Sequence, residues 1–79
     1  MMKLFTKQNC QNCEWVKERL LSTDNIEIID CESTNGLAEM AYYEIISIAE
    51  KRLPILVTDD EIIVGTIAIK NYVESQRGV

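Results

Sequence analysis

The side chains in this 79-residue chain that can do chemistry most readily belong to three cysteines, Cys10, Cys13 and Cys31. Two of them stand in Cys10-Gln11-Asn12-Cys13, just before an amphipathic stretch. Residues three apart on a helix share a face, so sulfurs at this spacing can close a bond without distorting the backbone. A cysteine at a helix N-terminus also meets unpaired N–H groups and a partial positive charge, which favour thiolate over thiol. Two thiols able to join, one of them activated at Cys10, form a reversible redox pair. Glu14 beside the pair acts in the opposite sense. A C-x-x-C can also be half of a zinc site, but that needs two more ligands, and the chain offers only Cys31 and no histidine. Cys31 reads as a small buried hydrophobe, with a regulatory thiol or a spare ligand as the alternatives.

The elements around the pair follow from patterning. Met2 to Thr6 is short and apolar enough for a buried first strand, and Lys7-Gln8-Asn9 is a polar loop. In the helix that follows, Cys13, Val16 and Leu20 fall on one stripe with Leu21 beside it, while Glu14, Lys17 and Glu18 face water. Ser22-Thr23-Asp24-Asn25 carries turn chemistry and ends the helix. Ile26 to Asp30 is β-branched and too short for a helix, which predicts a second strand parallel to the first across a right-handed crossover. Ser33-Thr34-Asn35-Gly36 can cap a second helix, and Leu37, Ala41, Ile45 and Ile48 recur at helical spacing as far as Glu50. Pro54 stops that helix and holds Leu53 extended.

Ile55-Leu56-Val57 and Ile62-Ile63-Val64, separated by Thr58-Asp59-Asp60-Glu61, read as a hairpin. Gly65-Thr66 supplies a break and a cap for a third helix through Ile69, Tyr72 and Val73, fraying at Gln76-Arg77-Gly78. The expected order is β-α-β-α-β-β-α: an α/β fold with a four-stranded mixed sheet and three helices. Trp15 and Tyr42-Tyr43 read as core or partly exposed aromatics, with Trp15 near enough to the cysteines to touch a partner. With no repeat, low-complexity run or linker, residues 1–79 read as one domain.

Composition narrows the function classes. Thirteen acidic against eight basic residues give a net charge of -5, which repels phosphate backbones and argues against nucleic-acid binding. No apolar run approaches the roughly 18 residues of a membrane span, and no signal-peptide core follows Met1-Met2-Lys3-Leu4. The expectation is a cytoplasmic monomer. Three cysteines do not make a secreted disulfide framework, so the C-x-x-C reads as redox-active or metal-binding.

With motif and order together, the chain resembles the glutaredoxin branch of the thioredoxin-like superfamily over essentially its whole length. The resemblance is carried by Thr6-Lys7-Gln8-Asn9-Cys10-Gln11-Asn12-Cys13, by Leu53-Pro54-Ile55-Leu56-Val57 and by Val64-Gly65-Thr66. It implies a minimal thioredoxin-like fold. It also implies that Cys10 attacks and Cys13 resolves, and that Lys7 supports the thiolate and contacts substrate. Pro54 matches the family's cis-proline, with Leu53 offering its backbone to the substrate chain, and Gly65 matches a glycine of the late turn. Gln11 and Asn12, between the cysteines, complete the implied substrate-binding set.

Glutathione-dependent members carry Pro-Tyr between the cysteines, Gly-Gly in the late turn and an Asp soon after. Here Gln11-Asn12, Val64 and Thr66-Ile67-Ala68 stand in those places. The pattern is similar to the small redoxins of the NrdH type and to archaeal mini-redoxins. These are dithiol donors to proteins such as ribonucleotide reductase. The resemblance thus implies a disulfide-containing client protein and no tightly bound cofactor. Reducing equivalents would come from a thioredoxin-reductase-like flavoenzyme or from glutathione. A glutathione-dependent glutaredoxin and a non-enzymatic metal or iron–sulfur module are the alternatives.

Overall fold

Four short runs of apolar and β-branched residues build the sheet in a computed structural model, which describes residues 2–20 and 26–77. They are β1 (Met2–Thr6), β2 (Ile26–Asp30), β3 (Ile55–Val57) and β4 (Ile62–Val64). The sheet order is β2-β1-β3-β4, with β1 and β2 parallel and the other pairs antiparallel. Four helices accompany them: α1 (Gln11–Leu20), α2 (Thr34–Tyr42), α3 (Ile46–Lys51) and α4 (Thr66–Arg77). The expectations for the Leu20 side chain, Leu21, the Ser22-Thr23-Asp24-Asn25 turn and Gly78 fall outside what the structure describes.

Cross-strand partners share a face, so register decides which side chains form each core. Leu4, Leu56 and Ile63 form one row, and Val16 of α1 and Ile69 of α4 pack onto it. Phe5, Ile29 and Ile55 form a row on the opposite face, covered by Met40 and Ile45. Leu4, Phe5, Ile55 and Leu56 are fully buried. Each contributes about 1.5–3 kcal/mol relative to exposure, so Phe5→Ala is the single change that most directly empties the second core.

The sequence pattern points to one helix from Leu37 to Glu50 and to three helices in all; the structure has two helices there and four among the described residues. The break is a backbone motif. Glu44 takes a left-handed conformation (φ 59°) after α2. Its N–H donates to the Ala41 carbonyl (3.2 Å), and the Ile45 N–H reaches back to Met40 (3.0 Å). Those bonds form a Schellman closure, sealed by the accompanying apolar contact of Met40 with Ile45 in one buried cluster. The expected stripe is corrected with it. Gly36, Met40 and Ile45 are buried, whereas Leu37 is 50% exposed and Ala41 and Ile48 also face outward.

The other turns follow local chemistry. Ser33 caps α2: its hydroxyl accepts from the Gly36 N–H (2.8 Å) and donates to the Asp30 carbonyl (2.8 Å). Thr58 closes the β3–β4 hairpin, its Oγ1 accepting from the N–H groups of Asp60 (3.2 Å) and Glu61 (3.0 Å). That hydroxyl supplies what Asp59-Asp60 lacks as turn chemistry. No described helix is long and apolar enough to cross a membrane.

Candidate functional site

β1 ends at buried Thr6, and the exposed Lys7-Gln8-Asn9 loop carries the chain off the sheet. Asn9 turns it with φ 60°, a conformation that Asn tolerates better than most residues. The Cys10 carbonyl then accepts the Glu14 N–H (3.1 Å), which puts Cys10 at the cap of α1 and Cys13 in its first turn. The two Cα atoms lie 5.2 Å apart and the sulfurs are joined as a disulfide. The Cys13 N–H donates to Cys10 Sγ (3.2 Å), so one of the helix's orphan donors is aimed at the first sulfur. Cys10 is partly exposed while Cys13 is fully buried. An outside reactant therefore reaches Cys10 first.

Charges around the pair are partly compensated. The exposed Glu14 carboxylate accepts from half-buried Lys17 Nζ (3.2 Å), so the acid that opposes a Cys10 thiolate has its own counter-ion. Lys7 stands with Gln8, Glu14, Lys17, Ile28 and Asp30 on the β2 side of α1. Among the described residues no hydrogen bond or ion pair joins Lys7 to Cys10. Its positive charge is felt instead at Cys31. The Cys31 thiol is pushed up to about 11 by burial first, then by Asp30 and Glu32, with Lys7 opposing. Cys31 is a free, buried cysteine just past β2, its N–H bonded to the Thr6 carbonyl (2.7 Å). Trp15 has its ring covered by the Arg19 guanidinium, 3.7 Å from the centroid.

On the other side of α1 lies an open groove of about 650 Å³, lined among others by Asn12, Lys51, Arg52, Leu53, Gly65 and Ile67. The Leu53–Pro54 peptide is cis, and the Pro54 side chain is fully buried. The Pro54 carbonyl accepts the Gly65 N–H (3.0 Å), which ties the β3 entry to the turn before α4. Gly65 has φ 95°, where a side chain is strained, although a Cβ there would meet nothing within 4 Å. Its carbonyl accepts the Ile69 N–H (3.1 Å), so Gly65 takes the cap position of α4 and Thr66 its first residue. The buried Thr66 Oγ1 has no hydrogen-bond partner among the described residues.

The structure therefore brings together Asn12, Leu53 and Gly65 along one groove; of the cysteine motif Asn12 lines it, and Pro54 is tied to it through the Gly65 N–H. Gln11 is exposed at the start of α1. Lys7 does not line that groove. Sequence reasoning passed over Lys51, Arg52 and Ile67. A basic pair directly before Leu53-Pro54 in an acidic chain was the available signal for the first two. Among the described residues no cluster of three or more His, Cys, Asp or Glu side chains could hold a metal ion.

No family model, curated protein or solved structure matches this chain. The architecture is a small α/β fold with a four-stranded mixed sheet, and its site is a cysteine pair at a helix cap.

Proposed function

We propose that the chain is a thiol–disulfide oxidoreductase, a dithiol electron donor to proteins, on a minimal thioredoxin-like fold of the glutaredoxin type. One observation carries the reading: a partly exposed Cys10 at the cap of α1 with a fully buried Cys13 bonded to it. Sheet order, the cis Leu53–Pro54 bond and the groove beside it support the reading.

In the reduced protein the Cys10 thiolate attacks one sulfur of a client disulfide. The S–S bond breaks, a mixed disulfide forms, and the other client sulfur leaves as a thiolate that takes up a proton. Cys13 then loses its proton and attacks Cys10 Sγ, releasing the second client thiolate. Two electrons pass to the client, and the Cys10–Cys13 disulfide is left behind. The Cys13 N–H supports negative charge on Cys10 Sγ before its attack on the client disulfide.

The cycle closes when a thioredoxin-reductase-like flavoenzyme, or glutathione, re-reduces the pair. In this reading Leu53 and Gly65 border the client segment, Gln11 and Asn12 face it, and Lys7 contributes long-range charge only. The client is a disulfide protein of the ribonucleotide reductase kind, met in the cytoplasm by a monomer.

The test is a pair of variants assayed on a disulfide-linked peptide with an external reductant. Cys10→Ser abolishes turnover, and Cys13→Ser accumulates a Cys10-linked mixed disulfide visible by intact mass. Full turnover by Cys10→Ser would refute the assignment.

A further inference from the structure

We infer that the groove beside the cysteine pair selects clients whose disulfide-bearing segment is acidic, with Lys51 and Arg52 as the selecting residues. The inference rests on the reductase reading above and adds a substrate class to it.

The chain as a whole is acidic, yet the groove is lined by two cations and no carboxylate. Lys51 and Arg52 are both exposed, and neither forms an ion pair among the described residues. Lys3, Lys17 and Lys70 each have a carboxylate partner. The dense acidic run Asp59-Asp60-Glu61 lies in the β3–β4 turn. That is the end of β3 opposite to Pro54, so it does not neutralise the groove. The net negative charge of the chain repels extended polyanions at long range, while the local positive patch acts at short range. Within a Debye length of roughly 10 Å it attracts isolated carboxylates.

Two further features indicate a peptide as occupant. Among the described residues neither the N–H nor the C=O of Leu53 has a backbone partner, so an extended segment can pair with the backbone of Leu53. On the α4 rim Ile67 is 75% exposed, an apolar surface that suits an apolar side chain of the client. Glutathione is anionic but has no apolar side chain to place there. The fitting occupant is a client segment carrying Asp or Glu against Lys51 and Arg52, with an apolar residue nearby.

The test uses the full reduced chain and three disulfide-linked peptides that differ only at two positions flanking the cysteine, filled by Asp, Asn or Lys. At low ionic strength reduction is fastest for the Asp peptide and slowest for the Lys peptide. The spread is roughly 3- to 10-fold, as expected for exposed charge pairs, and it narrows in high salt. The double variant Lys51→Glu/Arg52→Glu reverses the order, and its thermal melt, measured on the same preparation, verifies folding. The salt dependence tests the wild-type chain by itself. Equal rates for all three peptides would overturn the acidic selectivity and leave the reductase reading standing. Failure to reduce any of them would overturn both. Glutathione disulfide outcompeting the Asp peptide would overturn the choice of a protein segment.

Discussion

The backbone N–H of Cys13 points at the sulfur of Cys10 from 3.2 Å, and Cys13 itself is closed to solvent. One residue thus provides a donor to the attacking sulfur of Cys10 and, from beneath, the sulfur that in the proposed cycle displaces the client from it. Access then sets the order of reaction. In the reduced protein Cys10 is expected to be alkylated by iodoacetamide at least about 10-fold faster than Cys13 or Cys31, read by peptide mass over time. Equal labelling of Cys13 would contradict the assigned order.

Cys31 gives a prediction in alkali. Its thiol is raised from 9.0 to about 11 in the folded chain, chiefly by burial. Between those values the unfolded chain has released the proton and the folded chain still holds it, so stability falls as pH rises. The contribution is fully present below about pH 9 and is lost as pH climbs to about 11. Urea unfolding of the oxidised protein and of Cys31→Ala, compared across that window, is expected to show the wild-type advantage shrinking by on the order of 1–2 kcal/mol. A constant gap would contradict the assigned burial.

The helix break gives a stabilising substitution. Glu44 holds φ 59°, a conformation that costs a residue with a Cβ and suits glycine. Glu44→Gly is expected to raise stability by about 0.5–1 kcal/mol in chemical denaturation. Ile45→Ala, which removes the apolar half of the same motif, is expected to cost about 2–5 kcal/mol. Loss of stability in Glu44→Gly would mean that the break is held by something other than this closure.

Gly36 behaves in the opposite way to an ordinary helical glycine. Replacing glycine by alanine inside a helix usually gains about 1 kcal/mol. Here the added Cβ would run into the Asp30 carbonyl oxygen, part of the backbone that Ser33 also holds. Gly36→Ala is expected to lower stability by about 2 kcal/mol or more, because a backbone has to move to admit the methyl group. A neutral result in a denaturant titration would show that the β2–α2 turn yields easily.

The strands and the two helices on the α1–α4 face were legible because their signals are local. Ile26 to Asp30 and Ile55 to Val57 are β-branched runs. Cys13, Val16 and Ile69 mark buried faces at helical spacing, and Pro54 and Gly65 mark breaks. The α2–α3 break was not legible: no Gly, Pro or Asn stands at Glu44, and Leu37, Ala41, Ile45 and Ile48 keep a helical period across it. Which apolar residues face the sheet was decided by packing, through Met40 and Ile45, and period alone could not supply that. In the site, the cysteine spacing was legible from sequence. Lys7 lines the β2 side of α1 with Glu14 and Lys17, a grouping of loop, helix and strand that spacing alone does not supply. Lys51 and Arg52 become neighbours of Asn12 and Ile67 only once the sheet brings β3 and β4 together.

Equilibration of the purified chain in a series of reduced and oxidised glutathione buffers, quenched by alkylation and read by intact mass, tests the central claim most directly. The expected result is a reversible conversion between a form with all three cysteines alkylated and a form two hydrogens lighter than the reduced chain, with only Cys31 alkylated. The midpoint of that conversion gives the reduction potential. A Cys10–Cys13 pair that does not interconvert anywhere in the series, or that rests as a stable glutathione adduct on Cys10, would contradict the dithiol donor proposed here.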